Sequence, residues 1–389
     1  MHFADLNRDH LDAVLQIRVR SFGHSPQSER QQWLKRTGEL ADQRRLVGVL
    51  DGHTLVAAAR ILDFQHWWRG RRVPMAGIAG VVVDPAYRGR GVGSRLMRGV
   101  LGRSHDLGSA LTALYPATLP VYRKLGYEFG GGRYRFTFPA AELRTLGGRD
   151  VALRRGGPDD AERLLEIVSA VRGRGGESGM LGWKPATVRE WLEEETTFCY
   201  LAEDGFVVYG WDGSDLRVEE IVAGSEPTLR ALWSTVGTGS SIARSVHAYV
   251  GPQDPIHQLL GHEADQVTRI QRWMLRIVDA PAAIAARGWP GAAVLETPMH
   301  LGLELEDAEI PTNAGHWSLR VATDSAELVR TNPHPHALRL TARGLAALYA
   351  GIPVAVLRRT GTATGGTPHD DARLDAVFAG PTPYMIDYF

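Results

Sequence analysis

Residues 88–93, Arg88-Gly89-Arg90-Gly91-Val92-Gly93, set two guanidinium groups among three glycines, and Ser94 follows them. Such a segment can hold a pyrophosphate if a helix begins there. The first turn of a helix leaves N–H groups without intrahelical partners, backed by the positive end of the dipole. Gly91 and Gly93 let phosphates approach the backbone with no Cβ in the way, while Arg88 and Arg90 add positive charge. The flanks supply the frame. Val81, Val82 and Val83 are β-branched and read as a buried strand that stops at Asp84-Pro85, and Leu96, Met97, Val100 and Leu101 recur at helical spacing.

The glycine pattern alone is weak in a chain with 44 glycines, and it occurs again at Arg358-Arg359-Thr360-Gly361-Thr362-Ala363. That copy leads into Thr364-Gly365-Gly366-Thr367-Pro368, which cannot begin a helix, so no convergent N–H cradle is expected there. Downstream of the first copy stand an apolar run, Ala110 to Leu114, and Val121-Tyr122-Arg123-Lys124-Leu125-Gly126-Tyr127. Phe22, Trp33, Tyr115, Trp67 and Trp68 suit a core as well as a pocket wall, because large aromatics dominate both. Trp67-Trp68, beside Arg69 and Arg71, is expected in a loop at a pocket rim.

The chain has 389 residues, too many for one core, so two to three domains are expected. Lys+Arg and Asp+Glu both number 44, and zero net charge makes no case for nucleic acid. Lys35, Lys124 and Lys184 are the only lysines, so a single arginine carries little information. The lone Cys199 excludes an intramolecular disulfide, and the histidines lack zinc-ligand spacing, so no metal is expected. The start Met1-His2-Phe3 does not read as a signal peptide, and no apolar run approaches a membrane span. A soluble cytoplasmic protein without membrane partners is expected.

Phe3 to Ile17 and Leu153 to Ile167 share a short strand, an Asn/Asp or Pro-Asp helix start and matching apolar positions, a sign of duplication. Asp51-Gly52 between Leu46–Leu50 and Thr54–Leu62 marks a hairpin. The second copy lacks a glycine cradle between strand and helix. Beyond Pro281, residues 294–305 and 316–323 read as strands, and 337–350 as a helix beginning near Thr341.

These segments resemble the GNAT (general-control-related N-acetyltransferase) superfamily over the first 140 residues. The whole chain resembles the enhanced intracellular survival (Eis) acetyltransferases. The resemblance is carried by residues 121–127, by His247 with Gly251-Pro252-Gln253-Asp254-Pro255, by residues 273–283 and 285–288, and by Leu374-Asp375-Ala376-Val377-Phe378 before Phe389. It implies an α/β (α+β) architecture of two tandem GNAT-fold domains, 1–145 with the acetyl-CoA site and 146–285 degenerate, then a sterol-carrier-protein-like domain, 286–389. It implies acetyl-CoA held by Val81, Val82, Val83, Arg88, Gly89, Arg90, Gly91, Val92, Gly93 and Ser94. It also implies a small-molecule amine acceptor, such as the aminoglycosides of antibiotic resistance, and a homo-oligomer, a hexamer. Tyr122 would be the general acid and the α-carboxylate of Phe389 the general base, with Phe22, Trp33, Tyr115 and Asp387 around the acceptor. Tyr388 stands where the family has an acidic residue.

That assignment meets a chemical need. An aliphatic amine is mostly protonated at neutral pH and must lose a proton before it attacks a thioester. The backbone N–H of Val83 would meet the developing oxyanion. A non-catalytic acyl-CoA sensor and an acyltransferase using another acyl group remain as alternatives, separable by free CoA release.

Overall fold

The computed structural model describes residues 1–24, 26–260, 266–294 and 298–389. Thirteen strands form one sheet: β1 (His2–Asp5), β2 (Leu46–Asp51), β3 (Thr54–Trp68), β4 (Arg71–Val83), β5 (Leu111–Leu114), β6 (Glu128–Pro139), β7 (Arg154–Gly156), β8 (Ser178–Gly182), β9 (Phe198–Leu201), β10 (Gly205–Asp212), β11 (Asp215–Ala223), β12 (Ser245–Tyr249) and β13 (Gln266–Ile277). Their order is β1-β2-β3-β4-β5-β13-β6-β12-β11-β10-β9-β7, with β8 paired to β3. The first unit's helices include α1 (Leu11–Phe22), α2 (Gln27–Asp42), α3 (Val92–Asp106) and α4 (Leu119–Lys124).

The hairpin at Asp51 forms, with Asp51 paired to Thr54 and Gly52 at φ 60°, the left-handed value such a turn requires. The centre of the sheet was not legible in the sequence. β13 leaves the second unit to pair with β5, and β6 leaves the first to pair with β12, so each unit lends its last strand to the other. β13 therefore carries residues numbered in the 270s into the first unit's sheet. His66, buried in β3, ties the units again: its Nε2 lies 2.7 Å from the carbonyl of Gly179 on β8.

Two aromatic expectations need correction. Trp67 and Trp68 end β3 rather than lying in a loop, and both are buried, Trp68 packing edge-on against Trp273 and Tyr349. The chain reverses just after them in the tight Arg69-Gly70 turn, in which both residues have positive φ.

A second sheet, β14 (Met299–Glu306), β15 (Gly315–Val321), β16 (Ala326–Arg330), β17 (Leu338–Thr341) and β18 (Ala363–Gly365), has the order β16-β15-β14-β17-β18. The helix expected over 337–350 is β17 followed by a helix, Ala342–Tyr349, whose first turn is capped by the Thr341 hydroxyl accepting from Gly344 N–H. The strand expected from 294 begins at Met299, and residues 295–297 lie outside the described residues. From this third unit the chain returns as residues 383–389. Gly132 N–H donates to the Pro383 carbonyl and Met385 N–H to the Gly132 carbonyl, pinning the return to β6.

Candidate active site

β4 and β5 run parallel for three pairs, Met75–Leu111, Ala76–Thr112 and Gly77–Ala113, after which β4 continues to Val83 paired only with β3, its other edge open. A bulge helps part the strands: between Ala79 and Val82 the β4 chain carries one residue more than β3 opposite, with Gly80 at φ 59°. Asp84 N–H donates to the Val56 carbonyl on β3 at 2.9 Å. Alternation along the strand then turns the Val83 N–H the other way, into the gap. The Val83 carbonyl on that side accepts from Arg88 Nε at 3.3 Å.

The gap leads to the start of α3. Gly91 caps the helix at φ 76° with no side-chain hydrogen bond, and the first main-chain bond is Arg95 N–H to the Gly91 carbonyl, so the N–H groups of Val92, Gly93 and Ser94 have no helical acceptor. A Cβ at Gly89 or Gly91 would meet nothing within 4 Å, and one at Gly93 only Val83 at 3.7 Å. This open, positively polarised corner fits a phosphate. Arg88 is engaged with Val83 and Ser21, and Arg90 lies over the Tyr87 ring at 5.6 Å, both at the rim. At the second glycine copy, Gly361 follows a helix and leads into β18, with no helix start beside it.

Beyond the bulge lies a cavity of about 310 Å³. β4 contributes Ile78 to Val81, β5 and its exit Leu114 to Ala117, α4 Tyr122, the end of α1 Phe22, β13 Gln271 and Arg272, and the returning chain Tyr388 and Phe389. All three units meet here. Tyr122 is 6% exposed and packs edge-on to Tyr127 at 5.9 Å; burial raises its phenol pKa, so the hydroxyl keeps its proton at neutral pH. The Phe389 ring lies 5.1 Å from Phe64 and 5.8 Å from Tyr115. Phe22 and Tyr388, 59% and 61% exposed, are at the mouth.

Two expected pocket residues lie elsewhere. Trp33 is not among the lining residues: half-buried, it packs against the cluster that holds Leu6 and Val14 and sits under Arg18 and Arg60, at 5.5 and 5.6 Å. The Asp387 carboxylate turns away from the cavity and accepts from Trp183 Nε1 at 3.0 Å, and burial raises its pKa. Only its carbonyl faces Tyr115, whose hydroxyl donates to it at 2.7 Å. Asp387 thus anchors the terminal segment. Gln271 and Arg272 were missed as site residues. Gly80, an isolated glycine within a strand pattern, was the local signal for the bulge.

Residues 2–130 and 179–277 match two family models, each described as an acetyltransferase (GNAT) domain, and residues 280–386 match a sterol carrier protein domain. A GCN5-related N-acetyltransferase from Kribbella flavida is 54% identical, covering 100% of this chain and 98% of its own, with a TM-score of 0.96. The chain belongs to the GCN5-related N-acetyltransferases. Within them it is of the Eis type: N-acetyltransferase Eis of Mycobacterium tuberculosis is 26% identical over 368 residues, 88% of this chain and 87% of that one. Eis1 of Mycobacterium abscessus shares the fold over 100% of both chains, at 21% identity and a TM-score of 0.78. The protein is an acetyltransferase of a family that uses acetyl-CoA, and the β4–α3 corner suits that ligand's pyrophosphate. Among the described residues no cluster could hold a metal ion, and no helix is long and apolar enough to cross a membrane.

Proposed function

We propose that this enzyme transfers acetyl from acetyl-CoA to a primary amine of a small molecule, in the cavity where its three units meet. Bound acetyl-CoA supplies the thioester; the chain supplies position and protons. The N–H groups of Val92, Gly93 and Ser94 hold the pyrophosphate, and the free β4 edge from Val81 to Val83 receives the extended arm. Val83 N–H donates to the acyl oxygen as negative charge develops there. The Phe389 α-carboxylate accepts the amine proton, and the Tyr122 hydroxyl donates to the leaving sulfur. The observation that carries this reading is that Tyr122 and Phe389, far apart in sequence, line one cavity with the unpaired edge of β4. We further propose a cytoplasmic homo-oligomer, a hexamer, which light scattering would test.

The decisive measurement is free CoA release from purified enzyme given a panel of acyl-CoAs and primary amines. Acetyl-CoA is expected to be consumed only when an amine is present, with the N-acetylated amine as product. Tight acetyl-CoA binding with no release on any amine would make the protein a sensor, and faster release from a longer acyl-CoA would make it a different acyltransferase.

A further inference from the structure

Arg272 is the only charged side chain among the described residues lining the cavity. Among the described residues it has no ion-pair partner. The guanidinium carbon lies 3.7 Å from the centroid of the Phe129 ring, a contact over the ring face that makes no use of the edge N–H donors. Across the ladder Arg272 faces Gly132 on β6, over which the Tyr134 ring lies, its hydroxyl 2.9 Å from where a Cβ on Gly132 would stand, so the side chain nearest Arg272 on this strand is a neutral phenol. The acid on this stretch of β6 is already taken: the two oxygens of Glu128 accept from Arg123 and Arg343. Arg133, next along β6, donates to the Ile386 carbonyl. Arg272 alone in this group has no carboxylate or carbonyl acceptor among the described residues.

We propose that the acceptor amine carries an anionic group, a carboxylate or phosphate, which pairs with Arg272 while its amino group faces Phe389; this rests on the acetyltransferase reading above. A stacked guanidinium presents parallel N–H donors that match the two oxygens of such an anion. The rest of the wall, Phe22, Tyr115, Tyr388 and Leu114, suits an apolar or aromatic body. A polycationic acceptor would meet a like charge and, among the described residues lining the cavity, no acidic side chain, which selects against it.

The test is steady-state kinetics with the full-length enzyme at saturating acetyl-CoA, on 2-phenylethylamine and phenylalanine as a matched pair, with O-phosphoethanolamine and spermidine as further arms. Wild type is expected to have the lower KM for the anionic member, with spermidine the poorest substrate; the phosphate arm tells which anion is preferred. Arg272→Gln should raise the KM of the anionic acceptor roughly 10- to 100-fold relative to its neutral partner, the usual worth of a charge-assisted hydrogen bond. Arg272→Lys should restore part of that ratio, and Arg272→Glu should favour spermidine. An equal rise for both members, a rise in KM for acetyl-CoA, or a fall in kcat with a shifted pH profile on every amine would overturn the proposal, tying Arg272 to the co-substrate or to Phe389. A wild-type preference for spermidine would overturn it while leaving the acetyltransferase reading intact. No turnover with any amine would remove both.

Discussion

β4 and β11 are counterparts in the two acetyltransferase-like units, and each pairs in parallel with one neighbour for three residues and then runs on paired only along its other edge. After β4 the chain takes a glycine-rich path to a helix whose first turn is uncapped. After β11 only Gly224 and Ser225 separate the strand from the helix Glu226–Gly237, which starts on an acidic residue. Asp204 fills the corner: its side chain accepts from the Thr228 hydroxyl, its carbonyl accepts from Gly224 N–H, and a Cβ on Gly224 would come within 3.1 Å of its carboxylate. Past the second ladder β11 carries Glu220, buried in an ion pair with Arg172, with burial pushing the Glu220 carboxyl above the usual carboxylate range. A cavity of about 950 Å³ opens beside this second corner, three times the volume of the one by Tyr122. Volume does not identify the site. What separates the corners is an open, positively polarised helix start in one and a built-in carboxylate in the other.

The largest effect should come from putting a carboxylate into the open corner. Gly91→Glu forces a side chain at positive φ into the phosphate position, and acetyl-CoA binding by calorimetry is expected to fall from one site per chain to none, with the melting temperature nearly kept. Gly361→Glu, at φ 69° with nothing within 4 Å, should still bind one. Two bound per wild-type chain would break the comparison by giving the second corner a ligand.

Extending the chain past Phe389 converts the proposed base into an amide, and acetyl transfer should drop by two or more orders of magnitude while acetyl-CoA still binds. A tag at the other end should be harmless. Full turnover in the C-terminally tagged enzyme would sink the terminal-carboxylate base. Tyr122→Phe removes one hydroxyl from the open side and should lower kcat roughly 10²–10⁴-fold with unchanged acetyl-CoA affinity. A change within a factor of two would leave Tyr122 a packing residue.

The closed corner should answer in stability instead. Thr228→Val leaves the Asp204 carboxylate without its hydroxyl donor and is expected to cost about 1–3 kcal/mol in denaturant unfolding, with acetyl-CoA affinity unchanged. Altered acetyl-CoA affinity would mean that the corners communicate. The smallest effect is at the seam between the units. Burial lowers the His66 pKa from 6.5 to about 4, so the folded state prefers neutral imidazole. Its contribution is whole above pH 6.5 and is lost as pH falls from there towards 4. Melting temperatures compared with His66→Gln should converge over that window, and a gap constant from pH 7 to 4 would remove the assignment.

Neighbouring residues settled much of this protein. The β-branched run at Val81, the glycines to Gly93 and the helical spacing from Leu96 act over a few residues, and so does the Asp51-Gly52 turn; such signals survive in any context because sterics and local hydrogen bonds produce them. Tertiary structure decided the rest. Pairing of Met274 with Leu114 and of Val246 with Phe138 exchanges the last strands of the two units, and no local pattern encodes a register between positions more than a hundred residues apart. That exchange carries Arg272 into the cavity. The return of residues 383–389 along β6 brings Tyr388 and Phe389 there and turns the Asp387 carboxylate towards Trp183. Trp67, equally suited to core or pocket by composition, became core, and Trp33 packs half-buried against another cluster, because helix and sheet packing, not residue type, determined which faces lost water.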